Sequence, residues 1–188
     1  NAYQRLGQYA KAIEYHERDL AIARQLSDRE GEGLACTGLG NAYQMLGQYE
    51  KAIEYHKKSL VIKREMGDRA GMGVSFQNLG SAYCSIGQFA KALDFYEKTL
   101  VIAREMGDRA GEGTAYCNLG NAYRNLGQYE KAVEYHEKDL VIAREMGDRA
   151  GEGRAYCGLG NAYYSLVQYK KAVEYHEKDL VIAREMGD

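Results

Sequence analysis

The 188-residue chain contains no proline and no tryptophan, against 22 glycines and 17 tyrosines. An excess of charge of one sign is also lacking, with 25 basic against 27 acidic residues. A net charge of −2 is too small to draw the chain to nucleic acid or to an anionic membrane. No apolar run approaches the ~20 residues of a membrane span. The opening residues, NAYQRLGQ, have neither signal-peptide nor transit-peptide character. Apolar residues nevertheless make up 45% of the chain, enough to build a core rather than a disordered segment.

What is present is repetition. Asn1-Ala2-Tyr3 returns as Asn41-Ala42-Tyr43, Ser81-Ala82-Tyr83, Asn121-Ala122-Tyr123 and Asn161-Ala162-Tyr163, a period of 40 without slippage. A unit of this size cannot bury its own apolar face, so units must stack. Each unit reads as two helices. Tyr116, Leu119, Gly120, Tyr123 and Leu126 form one helical stripe, and a second helix runs from about Tyr129 to Met146. Gly127-Gln128 breaks the pair. Gly107 fits a left-handed C-cap, and Asp108 fits an N-cap for the next helix. Short loops make the neighbours antiparallel. The expectation is an all-α array over residues 1–188, with a partial repeat at 1–28 and full repeats at 29–68, 69–108, 109–148 and 149–188. About nine helices are expected, counting a half helix at the start.

Leu39, Gly40, Tyr43, Gly47, Tyr49 and Ala52 carry the pattern Leu-Gly-x-x-Tyr, Gly-x-Tyr, Lys-Ala. That pattern resembles the tetratricopeptide repeat. The resemblance implies a right-handed α-α superhelix, the tetratricopeptide (TPR) solenoid of antiparallel helix pairs. The 40-residue period, the missing proline, Glu-Tyr-His and Ile-Ala-Arg-x-x-Gly-Asp resemble the repeats of Pins/LGN-type scaffolds. Within the motif, Gly40 and Ala52 mark close helix approach, where a larger side chain would cost ~1–3 kcal/mol. Ala42, Ala82, Ala122 and Ala162 suit contact between successive first helices.

Catalytic and metal chemistry find little support. His16, His56, His136 and His176 lie whole repeats apart, ~8–10 Å at helix-packing distance, whereas zinc needs ligands within ~2 Å of one point. Cys36, Cys84, Cys117 and Cys157 form no CxxC pair, and equivalent cysteines of adjacent repeats exceed the ~7 Å Cα reach of a disulfide. No metal, cofactor or catalytic residue is expected. Free thiols suit a reducing compartment, hence a cytoplasmic setting. Gly-Glu-Gly and Gly-Met-Gly lack the strand and Lys-Ser/Thr of a phosphate loop. They fall inside a helix that two glycines should weaken by ~1 kcal/mol each.

Residues 111–148 and 151–188 differ only at Thr114/Arg154, Asn118/Gly158, Arg124/Tyr164, Asn125/Ser165, Gly127/Val167 and Glu130/Lys170. Four of these changes fall on one stripe of the first helix, where chance would place about one. By resemblance this stripe lines the concave groove in which such domains bind peptides. Its candidate binding residues are Arg5, Asn41, Gln44, Gln77, Asn78, Asn118, Asn121, Arg124, Asn125, Arg154, Asn161 and Tyr164. They include arginines and no carboxylate, so the expected partner is a protein or peptide segment with acidic residues. In the chaperone-type clamp a Lys sits four residues before the Asn. Here Thr37, Cys117 and Cys157 stand there, which counts against chaperone-tail binding. The chain opens within a first helix and closes after a second, so it is expected to be part of a longer array. Self-association through uncapped ends is the alternative function.

Overall fold

The structure, a computed structural model, describes the backbone of residues 2–187 and the side chains of residues 7–187. Among the described residues there are nine helices and no strand. They are α1 (Ala2–Gln25), α2 (Arg29–Met45), α3 (Tyr49–Glu65), α4 (Arg69–Ser85), α5 (Phe89–Met106), α6 (Arg109–Asn125), α7 (Tyr129–Met146), α8 (Arg149–Ser165) and α9 (Tyr169–Met186). The chain divides into two compact units, Asn1–Phe95 and Tyr96–Asp188, and the division falls inside α5. In the first unit α2 packs on α1 and α3, and α3 on α4. In the second, α6 packs on α7, α7 on α8 and α8 on α9. The first helices of neighbouring repeats, α2 with α4 and α6 with α8, also touch. Their shared alanines Ala42, Ala82, Ala122 and Ala162 are all buried.

One dipeptide ends each second helix and starts the next first helix. Gly67, Gly107 and Gly147 take φ of 71°, 68° and 66°, which lets the chain leave the helix. The following aspartate then caps the new helix. Asp28, Asp68, Asp108 and Asp148 accept from the N–H of Gly31, Gly71, Gly111 and Gly151 at 2.8–2.9 Å.

This joint also accounts for the paired glycines that propensity disfavours. A Cβ on Gly111 would lie 2.2 Å from the Asp108 carboxylate, and one on Gly113 would lie 3.2 Å from Ile142. The first glycine makes room for the cap. The second lets the helix pair close.

Within each pair, an aromatic of the first helix stacks on one of the second. Tyr43 lies on Tyr55, Tyr83 on Phe95, Tyr123 on Tyr135 and Tyr163 on Tyr175, with centroids 5.1–5.5 Å apart. Each stack adds about 0.5–1.5 kcal/mol beyond its buried area. The leucines of the Leu-Gly motif, Leu39, Leu79, Leu119 and Leu159, are wholly buried beside them.

The half helix expected at the start is not a separate element. α1 runs unbroken from Ala2 to Gln25. The equivalent joints bend at Gly47, Gly87 and Gly127, with φ between 72° and 75°, whereas Gly7 has no positive φ.

At the fifth such joint Val167 replaces glycine and is held at φ 62°. A β-branched residue pays roughly 1–3 kcal/mol for this conformation, and the exposed Val167 side chain recovers little by burial. Val167→Gly is expected to stabilise the chain by about 1 kcal/mol, net of the added freedom of the unfolded state. Thermal unfolding measures this; an unchanged or lowered Tm would show that the joint carries no strain.

Candidate functional site

The first helices present the polar stripe singled out in the sequence. In the first unit, Asn41 is exposed on α2, while Gln44 on α2 and Gln77 and Asn78 on α4 are half-buried. These residues join neighbouring repeats. Gln44 donates to the Ser81 hydroxyl at 2.9 Å, and Asn78 donates to the Asn41 carbonyl at 3.4 Å. The side chain of Arg5 lies outside the described residues.

In the second unit, α6 and α8 share a wall. Asn121 and Asn161 are half-buried and reach the sulfurs of Cys117 and Cys157 at 3.8 and 3.6 Å, each one turn earlier. Asn125, Arg154 and Tyr164 are exposed. Tyr164 tilts against Tyr169 with centroids 5.4 Å apart. Arg154 reaches Asp148 only at 3.5 Å. Arg124 is half-buried, and its Nε is buried without a hydrogen-bond partner among the described residues.

One pair of the stripe has a different role. Gly158, equivalent to the half-buried Asn118, is buried, and a Cβ there would lie 2.5 Å from the His136 ring. Gly120 approaches the same ring, at 2.7 Å for a Cβ. Small size at 158 is therefore set by packing between repeats. Neither the period nor the stripe signals this, because the ring comes from the preceding second helix.

Several arginines away from this wall, Arg24, Arg29, Arg104, Arg109 and Arg149, are neutralised by a network not expected from the sequence. Glu112, buried at the Gly-Glu-Gly position, accepts from Arg104 Nε at 2.9 Å and also from Arg109, which in turn pairs with Glu145. Arg24, Glu32, Arg29 and Glu65 repeat the arrangement in the first unit. Arg149 joins Glu152 to Glu185 in the last repeat. Burial raises the Glu112 carboxyl, but the two guanidinium hydrogen bonds outweigh it and hold the group below its ordinary range. The signal was present as Gly-Glu-Gly preceded by an arginine eight residues earlier. Met72 occupies the glutamate position of the third repeat.

The period, the helix pairs and the Leu-Gly/Tyr stacks agree with a family model described as the tetratricopeptide repeat, which matches residues 1–65, 35–105, 68–138 and 111–185. The chain belongs to the tetratricopeptide repeat family. A 41-residue stretch is 49% identical to human G-protein-signaling modulator 1, covering 22% of this chain and 6% of that protein. This match fits the Pins/LGN-type character of the repeats. BtubC (BKLC) from P. vanneervenii superimposes with a TM-score of 0.87 at 23% identity, over 97% of this chain and 76% of that one. A STAND signal-transduction ATPase of Pyrococcus horikoshii, with a tetratricopeptide repeat sensor, matches at 30% identity and a TM-score of 0.83, over 96% of this chain and 28% of that one. The fold class is thus the all-α tetratricopeptide solenoid. No helix among the described residues is long and apolar enough to cross a membrane.

Proposed function

We propose that this tetratricopeptide chain is a non-catalytic interaction module of a reducing, cytoplasmic setting. It binds a peptide segment with acidic residues along its first helices. The human and Pyrococcus relatives are named for signaling and sensing, which accords with a recognition role. The observation that carries the reading is Arg124. Its Nε is a buried donor without an acceptor, on a wall furnished by Asn121, Asn125, Asn161, Tyr164 and Arg154. Glutamates neutralise Arg29, Arg109 and Arg149 elsewhere. A carboxylate of a ligand would pair with the open part of the half-buried Arg124 side chain and with the exposed Arg154, and the asparagines would pair with its backbone amides.

A second reading has its own observation. α7 and α9 are identical after their second residue, yet Val133 and Leu140 are 9% and 8% exposed while Val173 and Leu180 are 56% and 48% exposed. A helix resembling α8, contributed by a second copy, would cover this face of the 188-residue chain.

One experiment weighs both. Peptides are selected by display against the chain, and their affinity is measured by fluorescence anisotropy. Charge-assisted hydrogen bonds contribute about 1.5–3 kcal/mol each, so Arg124→Glu with Arg154→Glu is expected to weaken an acidic peptide about 100-fold or more. Unaltered affinity would remove the groove reading. A light-scattering mass that climbs with concentration without peptide, and falls on Leu180→Glu, would favour self-association.

A further inference from the structure

Histidines and cysteines of different repeats lie too far apart to share a metal ion. The fold brings three ligand types together inside one repeat. Cys117 stands on α6, while His136 and Asp139, three residues apart, share one face of α7. One ligand atom from each lies within 4.8 Å of the other two. The next repeat places Cys157, His176 and Asp179 in the same arrangement within the same limit. We propose that each trio is a binding site for a zinc-type divalent ion, with thiolate, imidazole and carboxylate as three ligands and solvent as the fourth.

Unmet polar atoms point the same way. His136 is 0% exposed and Asp139 3% exposed. Both ring nitrogens of His136 and the Oδ2 of Asp139 are buried without a hydrogen-bond partner among the described residues. Orphaned buried groups of this kind cost about 1–3 kcal/mol each, and a bound cation would meet one His136 nitrogen together with Asp139 Oδ2. The unmet carboxylate is the feature particular to this trio, since both ring nitrogens of His56 also lack a partner among the described residues. The glycines at 120 and 158 hold the imidazole between two helices, which fixes a ligand's orientation.

The second repeat shows the alternative way to fill the position. Thr37 and Ser59 stand where Cys117 and Asp139 stand, and their hydroxyls bond directly at 2.8 Å. That pair needs nothing between it. The Cys/Asp pair retains a carboxylate oxygen that no protein donor meets.

The chemistry of the trio is mixed soft and hard, N, S and O, as zinc and cobalt(II) accept. In a tetrahedral zinc site the ligand atoms sit about 3.3–3.6 Å apart, so closing around an ion requires movements of the order of 1 Å. Burial pushes the Cys117 thiol up to about 11 and the Asp139 carboxyl up to about 6. Arg154 offsets part of this by favouring the ionised, metal-binding forms, and it repels the cation itself.

The test uses cobalt(II) added to the chelator-treated 188-residue chain. Two equivalents are expected to bind, with sulfur-to-cobalt charge-transfer absorption in the near ultraviolet that zinc abolishes. Cys117→Thr with Asp139→Ser copies the second repeat's own pair and so preserves packing. It is expected to lose one equivalent. Adding Cys157→Thr and Asp179→Ser is expected to lose the other, with helical circular dichroism unchanged. Cys36, Cys84, His16 and His56 remain in every variant as internal controls. Absence of the sulfur band in the parent chain, or its persistence in the fourfold variant, would overturn the proposal. A thiol that merely donates to Asp139 gives the first of these results.

Discussion

Gly158→Asn, which copies the residue at position 118, is expected to destabilise the chain by about 2–3 kcal/mol. The cause is specific to the neighbour. A Cβ at 158 would lie 2.5 Å from the His136 imidazole, and the ring cannot retreat because Gly120 approaches it from the adjacent helix. Overpacking of a fitted site costs ~1–3 kcal/mol, and asparagine adds further atoms beyond Cβ. Its better helix propensity returns only about 0.3 kcal/mol. Chemical denaturation measures the loss. His136→Ala removes the opposing ring, so the two substitutions together are expected to cost less than their sum, and a double-mutant cycle reads that coupling directly. Additive costs would mean that the ring moves aside and that position 158 belongs to the open wall after all.

Stability is also expected to fall as pH drops from about 6.5 toward 4, and His56 is a principal cause. The His56 side chain is wholly buried against Gly40, and burial pushes its imidazole down to about 4. In the unfolded chain the ring titrates near its ordinary value of about 6.5. Between these values the unfolded state binds a proton that the folded state refuses. Stability is therefore fully present above pH 6.5 and declines through the window by about 1.4 kcal/mol per pH unit, levelling off below about 4. The total from this one ring reaches roughly 3 kcal/mol. His56→Gln carries no titrating group, and its unfolding free energy is expected to fall less steeply with acid, by one proton's slope. Parallel profiles for parent and variant between pH 7 and 5 would show that His56 takes up its proton while folded.

Several features that direct these predictions were legible in the residues. The Gly-Asp joints, the Leu39-type core positions and the small alanines between first helices all follow from a strict period and helical spacing. These are local or strictly repeated features, so a single line of text contains them. The Cys117–His136–Asp139 trio was not legible in the same way. Its members are 19 and 3 residues apart on antiparallel helices, and only the crossing of α6 and α7 determines whether they meet. Of the Arg104–Glu112–Arg109 network, the Arg109–Glu112 pair lies within one turn of α6, while the Arg104–Glu112 bond depends on how the end of α5 meets α6.

The residues alone determined that this chain makes helix pairs of the tetratricopeptide kind, because glycine, aspartate and apolar spacing act within a turn or two of backbone. They did not determine what each repeated side chain does. His136 and His176 occupy the same place in helices identical after their second residue, yet the first is sealed between Gly120 and Gly158 and the second is exposed. Burial, and with it protonation, packing tolerance and ligand chemistry, belongs to the surface that the next helix covers. That covering surface exists only once the repeats have stacked.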